Sequence, residues 1–73
     1  MTMQIQVGDF VSVRTGHNRS TYWYTGEVLA TFKKSIRVQC KMHYIEKIRY
    51  ETYLFPKEKV EKVGKTYDEV KAF

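Results

Sequence analysis

An all-β fold, a small barrel that stays partly open, is what this sequence predicts, and three observations predict it. Apolar residues recur with a period of two along most of the chain. The alternating runs are short and are separated by stretches of turn formers. The chain has 73 residues, too few for a sandwich of about seven strands. A strongly bent sheet that buries one face of each strand and leaves little free edge is the economical alternative.

The elements follow in order. Residues 10–14 form a short strand with Val11 and Val13 inward. Residues 15–21, which include Gly16, Asn18 and Ser20, are polar and form a loop. Residues 22–32 alternate, with Tyr22, Tyr24, Gly26, Val28, Ala30 and Phe32 on one side. Trp23, Thr25, Glu27, Leu29 and Thr31 take the other. Lys33 and Lys34 make a tight hairpin, although they lack the favoured Asn-Gly chemistry. Residues 35–44 alternate most clearly: Ile36, Val38, Cys40, Met42 and Tyr44 share one face. Ser35, Arg37, Gln39, Lys41 and His43 share the other, so this is a half-buried strand with a cationic outer face. Glu46 and Lys47 mark a second hairpin. Residues 48–55 form the fourth strand, with Ile48, Tyr50 and Leu54 on one face, and Pro56 ends it because proline supplies no ladder N–H. Residues 60–63 make a brief fifth strand. In the tail, Thr66-Tyr67-Asp68-Glu69 matches a capping box, so a short helical turn is expected, stable only if docked on the barrel. The expected core is Val11, Val13, Val28, Ile36, Val38, Cys40, Met42 and Leu54.

Composition narrows the function classes. The single cysteine excludes an internal disulfide framework and a cysteine-rich zinc site. No run of about 18 apolar residues exists, so no membrane-spanning helix is expected. The first seven residues lack a basic cluster and an apolar core, so no signal peptide is expected and the cytoplasm is the expected location. The Asn18-Arg19-Ser20 glycosylation pattern is then incidental. The net charge is +5 and it is unevenly placed. Residues 14–49 hold eight basic residues against the two acids Glu27 and Glu46. Residues 50–73 hold five of each sign, and residues 1–13 only Asp9. Such focused positive charge favours an anionic partner, nucleic acid first, although a surplus of this size also serves solubility.

The first strand, Val7-Gly8-Asp9-Phe10-Val11-Ser12-Val13, resembles that of small SH3-like barrels, including the KOW and Tudor-like families. Gly26-Glu27-Val28 is similar to the Gly-x-Val of their next strand, and Ile36-Arg37-Val38 to its partner. Residues 53–60 (Tyr53-Leu54-Phe55-Pro56-Lys57-Glu58-Lys59-Val60) are similar to the closing strand, one-turn helix and last strand. The likeness spans about residues 7–63, and order and spacing carry it more than any single motif. It implies one five-stranded, partly open SH3-like barrel over residues 1–73, with the tail from residue 64. It also implies a binding module for nucleic acid, ribosomes, polymerase components, methylated peptides or other proteins, and not an enzyme.

The candidate binding residues are Arg14, Arg19, Trp23, Lys33, Lys34, Arg37, Lys41 and His43. Single-stranded nucleic acid is held by cations that track phosphate and rings that stack on bases. Trp23 has the opposite parity to Tyr22 and Tyr24 and is expected to face outward. RNA is expected ahead of DNA, with an acidic protein surface as the alternative partner and a monomer as the expected state. An aromatic cage for methylated ammonium is a further reading, with Phe10, Trp23, Tyr53 and Phe55 as members. Core packing of those rings is its bland counterpart. No catalytic residue, cofactor or metal is expected. Cys40 lies on the apolar face and His43 on the opposite one, which disfavours a Cys–His dyad, and nothing positions His17.

Overall fold

The computed structural model describes residues 4–16 and 22–71, and within these not the side chains of His43 and Tyr44. Five antiparallel strands form one sheet: β1 (Phe10–Thr15), β2 (Tyr22–Thr31), β3 (Ser35–Tyr44), β4 (Lys47–Pro56) and β5 (Val60–Gly64). A single 3-10 turn, Lys57–Lys59, joins β4 to β5, and a one-turn helix α1 (Tyr67–Val70) follows. The strand order is β4-β3-β2-β1-β5. The first four strands therefore pair with their chain neighbours, and β5 returns to the free side of β1. The sheet curls into a small, partly open barrel, as the alternation predicts.

Strand β2 is divided between two partners. Its residues 22–27 pair with β1, and its residues 26–31 pair with β3. Gly26 and Glu27 pair with both strands, and Val28, opposite Val38 on β3, bonds on its other side to Gly8 and Asp9 just before β1. Gly26 suits this junction because a Cβ there would run into the carbonyl of Gln39 and lie 2.9 Å from the Cα of Cys40. Any larger residue would push β2 and β3 apart.

The inner face packs Val11, Val13, Val28, Ile36, Val38, Cys40, Phe55 and Val60 into one cluster, with Tyr24, Met42, Tyr53 and Val63 half-buried against it. Six of the eight expected core residues are fully buried there and Met42 packs at the margin. Leu54 is the exception, at 59% exposed. The β3–β4 register explains the error: Ile36 faces Phe55, Val38 faces Tyr53 and Arg37 faces Leu54. Cross-strand partners share a face, so Tyr53 and Phe55 go inward while Ile48, Tyr50 and Leu54 go outward. A second parity error lies at the end of β2. The ladder slips between Val28 and Ala30, so that Ala30 meets Arg37 and Thr31 meets Ile36. One bulged residue reverses the facing of everything beyond it. Phe32 thereby joins the outer face with Arg37, whose guanidinium lies 5.7 Å from the ring centroid.

The Lys33-Lys34 hairpin forms as expected and is closed by the Phe32 N–H donating to the Ser35 carbonyl at 2.8 Å. The other hairpin turns one residue earlier than expected, at Ile45 and Glu46, with Glu46 at a φ of 69°. The tail also docks. The Thr66 hydroxyl accepts from the Glu69 N–H at 3.4 Å, which is the capping contact read from the sequence. Helix α1 lies over the outer face of the sheet. A Cβ on Gly64, which shares a face with Phe10, would meet Glu69 and Val70. Val70 is fully buried yet stands apart from the inner cluster. Lys65 ties the tail down: its ammonium reaches the Asp9 carboxylate at 2.9 Å, and the second oxygen of Asp9 accepts from the Gln6 N–H at 3.0 Å. Both bonds favour the charged form, with Lys65 the larger cause, and hold the Asp9 carboxyl below the usual carboxylate range.

Candidate nucleic-acid interface

The outer face of the sheet collects Arg14, Trp23, Arg37 and Lys41, four of the eight candidate residues, because alternation sends these four to one side. Trp23 lies directly opposite Arg14 across the β1–β2 ladder and is 41% exposed. Arg14 reaches Glu61 at 4.0 Å through a solvent-exposed pair, which holds it only loosely. On β3, Arg37 and Lys41 share this face, with Leu54 and Tyr50 as their partners on β4. The two cations lie four positions apart, a span of about 13 Å at strand rise. Lys41 is half-buried, its ammonium 5.0 Å from the ring centroid of Tyr67 on α1. His43 pairs with Ile48 in the register, and its side chain lies outside the described residues. Arg19 and His17, with the Asn18-Arg19-Ser20 pattern, also lie outside them.

Lys33 and Lys34 are exposed at one end of the barrel. There the Lys57 N–H donates to the Lys34 carbonyl at 2.9 Å, which draws the 3-10 turn against the hairpin. Lys33, Lys34, Pro56, Lys57 and Glu58 line a shallow hollow of about 650 Å³. The candidates thus divide into an outer-face group (Arg14, Trp23, Arg37, Lys41) and an end group (Lys33, Lys34).

A second hollow, of about 330 Å³, lies on the outer face and was not visible as a group in the sequence. Phe10, Gly26, Glu27, Gln39, Lys41, Tyr50 and Tyr67 line it. Its floor is the row Phe10–Glu27–Gln39, which runs across β1, β2 and β3. Tyr67 overhangs it from the tail. The signal for Phe10, Glu27 and Gln39 was their shared parity, but Tyr67 comes from a different layer, which alternation cannot report.

The cage proposed from Phe10, Trp23, Tyr53 and Phe55 does not assemble. Tyr53 and Phe55 point inward and pack with Tyr24, with ring centroids 5.3–5.9 Å apart. Phe10 and Trp23 lie on the other face. Cys40 is fully buried, and burial pushes its thiol up to about 12, with Glu51 adding to the rise. A thiol held protonated at neutral pH behaves as a small core hydrophobe and not as a nucleophile. Among the described residues no group of three or more His, Cys, Asp or Glu is placed to hold a metal ion. No helix among them is long and apolar enough to cross a membrane.

No protein-family model matches the chain, and neither does any curated protein or solved structure.

Proposed function

We propose that this chain is a non-enzymatic binding module whose outer sheet face contacts single-stranded nucleic acid, RNA ahead of DNA. The observation that carries the proposal is the mixture of exposed rings and cations on one face: Trp23 beside Arg14, Tyr50 beside Lys41, and Phe32 beneath Arg37. Cations follow the phosphates and draw much of their binding free energy from counterion release. Rings supply stacking that tolerates any base, at about 1–3 kcal/mol per base. Lys33 and Lys34 extend the positive field at the barrel end. The resemblance to KOW and Tudor-like barrels supports the same class of role.

Anisotropy of labelled RNA and DNA oligonucleotides, titrated at several salt concentrations, tests the reading. Arg37→Ala is expected to weaken binding and flatten the salt dependence by about one unit of slope for each phosphate that the arginine neutralises. Trp23→Ala is expected to weaken binding at every salt concentration and leave the slope unchanged. Absence of binding by the wild-type chain at low salt would sink the reading. A second reading, docking on an acidic protein surface, is favoured by the apolar row Ile48, Tyr50 and Leu54 exposed beside Arg37 and Lys41. In that case the same cations would meet carboxylates, and binding would survive nuclease treatment.

A further inference from the structure

We propose that the hollow between the tail and the sheet is a pocket for a single guanine base. The inference rests on the nucleic-acid reading above and adds a base preference that charge and stacking alone would not give.

Glu27 is the anomaly that motivates it. Residues 14–49 carry eight cations and only two acids, and Glu27 is the one placed on the outer sheet face. A carboxylate beside Lys41 and between Arg14 and Arg37 weakens phosphate binding, so on a surface that served phosphate alone it would be a defect. Glu27 is half-buried, and among the described residues neither its carboxylate nor the neighbouring Gln39 amide has a side-chain hydrogen-bond partner. Both line the hollow, to which Phe10, Tyr50 and Tyr67 contribute rings. Rings around a few convergent polar groups are the usual make-up of a small-ligand pocket. Among the described residues, the hollow at the barrel end is lined by lysines, proline and glutamate, without an aromatic ring.

The polar groups select the base. Splayed-out bases are read on their Watson–Crick edges while they stack on aromatic rings. Guanine alone places two adjacent donors there, N1–H and the N2 amino group, and a carboxylate accepts both. Adenine and cytosine set one donor beside a lone pair, which a carboxylate repels, and uracil offers one donor between two carbonyls. The Gln39 amide can donate to the guanine O6 that lies beside N1. Lys41 stands at the margin for the attached phosphate. A methylated ammonium is the competing occupant for three rings and a carboxylate. Lys41 argues against it: the pocket's own ammonium already lies 5.0 Å from the Tyr67 ring centroid and would repel a second cation.

Three probes test the proposal on the whole chain: a labelled eight-residue oligouridine, the same strand with one central guanosine, and that strand with inosine, which lacks the N2 amino group. One bidentate pair predicts that the guanosine strand binds about 5- to 150-fold more tightly than oligouridine. Inosine should lose most of that gain. Glu27→Gln should abolish the preference while leaving oligouridine binding intact or tighter. Tyr67→Ala should reduce the preference by removing a stacking ring, with folding checked by circular dichroism. Equal binding of all three strands overturns the pocket and leaves the nucleic-acid reading standing. If no strand binds at low salt, an NMR titration with guanosine and adenosine monophosphates decides. Shifts at Glu27, Gln39 and Tyr67 specific to guanosine keep the pocket and assign it to a free nucleotide, and their absence ends both readings. Tighter binding of a trimethyllysine peptide than of either nucleotide also overturns the proposal.

Discussion

Strands β1 and β4 have similar alternation in the sequence and opposite fates in the fold. Through Val13, strand β1 is paired on both sides and covered on both faces: Val11 and Val13 sit in the inner cluster, and Ser12 between them is also fully buried, on the side that α1 covers. Strand β4 is a ten-residue edge, wet on its outer face, where Ile48, Tyr50 and Leu54 are all exposed. A single polar residue within an apolar run therefore does not mark a wet face, and an apolar parity does not mark a dry one. The partners decide. Ser12 is covered by a tail that begins about fifty residues later in the chain, and Leu54 is turned out because Phe55 has to meet Ile36.

The largest test of this contrast sits within β4. Phe55→Ala should destabilise by about 3–5 kcal/mol, read by chemical denaturation, because it empties an aromatic site among Tyr24, Tyr53 and the valines. A change under about 1 kcal/mol would return the dry face of β4 to Leu54. Next, Val70→Ala should cost about 1–3 kcal/mol and raise hydrogen exchange across β1, since Val70 supplies the apolar cover on the outer side. A neutral outcome would mean that α1 protects nothing. Acid should loosen the same tail through Asp9. Its carboxyl sits below the ordinary value of about 3.9, so the folded state binds fewer protons than the unfolded chain near that pH. The stabilisation is complete above the ordinary value and is lost as pH falls through the lowered one. Melting temperature should therefore drop below about pH 4, and Asp9→Asn should remove part of that drop; an unchanged acid profile in the variant would exclude the contact with Lys65. The smallest effect belongs to Leu54→Ala, expected within about 0.5 kcal/mol of wild type because the side chain is exposed.

The fold was legible because most strands have one wet face. Residues 35–44 alternate without a break, and β3 occupies that span. The capping box at Thr66 and Glu69 was equally plain, since it is local chemistry. Two things were hidden. The bulge near Leu29 adds one residue to β2 without any proline or glycine to announce it, so simple alternation puts Phe32 on the wrong side. The inward partner of Ile36 depends on the position of the Ile45-Glu46 turn, where neither residue is a turn former and Glu46 adopts a positive φ. Of the interface, the parity of Trp23, Arg37 and Lys41 was readable from the chain. The pocket was not, because it joins β1, β2, β3 and β4 to a tail that pairs with none of them.

The order in which the sheet closes has a kinetic consequence. Each of the first three pairings links neighbours in the chain, whereas β5 brings Gly64 back to Phe10. That long closure carries the larger loop entropy, so the four-strand meander can assemble before it. In that order Tyr67, which follows β5 in the chain, would reach the sheet last. The native state should then breathe through the same step in reverse, with β5 and α1 leaving as one unit while the meander persists. Opening of that unit removes one wall of the hollow beside Glu27. Any ligand seated there must be released before the tail can lift, and at a hundred times its dissociation constant it would make that opening rarer by about 2.7 kcal/mol. Protection of the β5 amides against exchange would thus report occupancy from a strand that does not line the hollow.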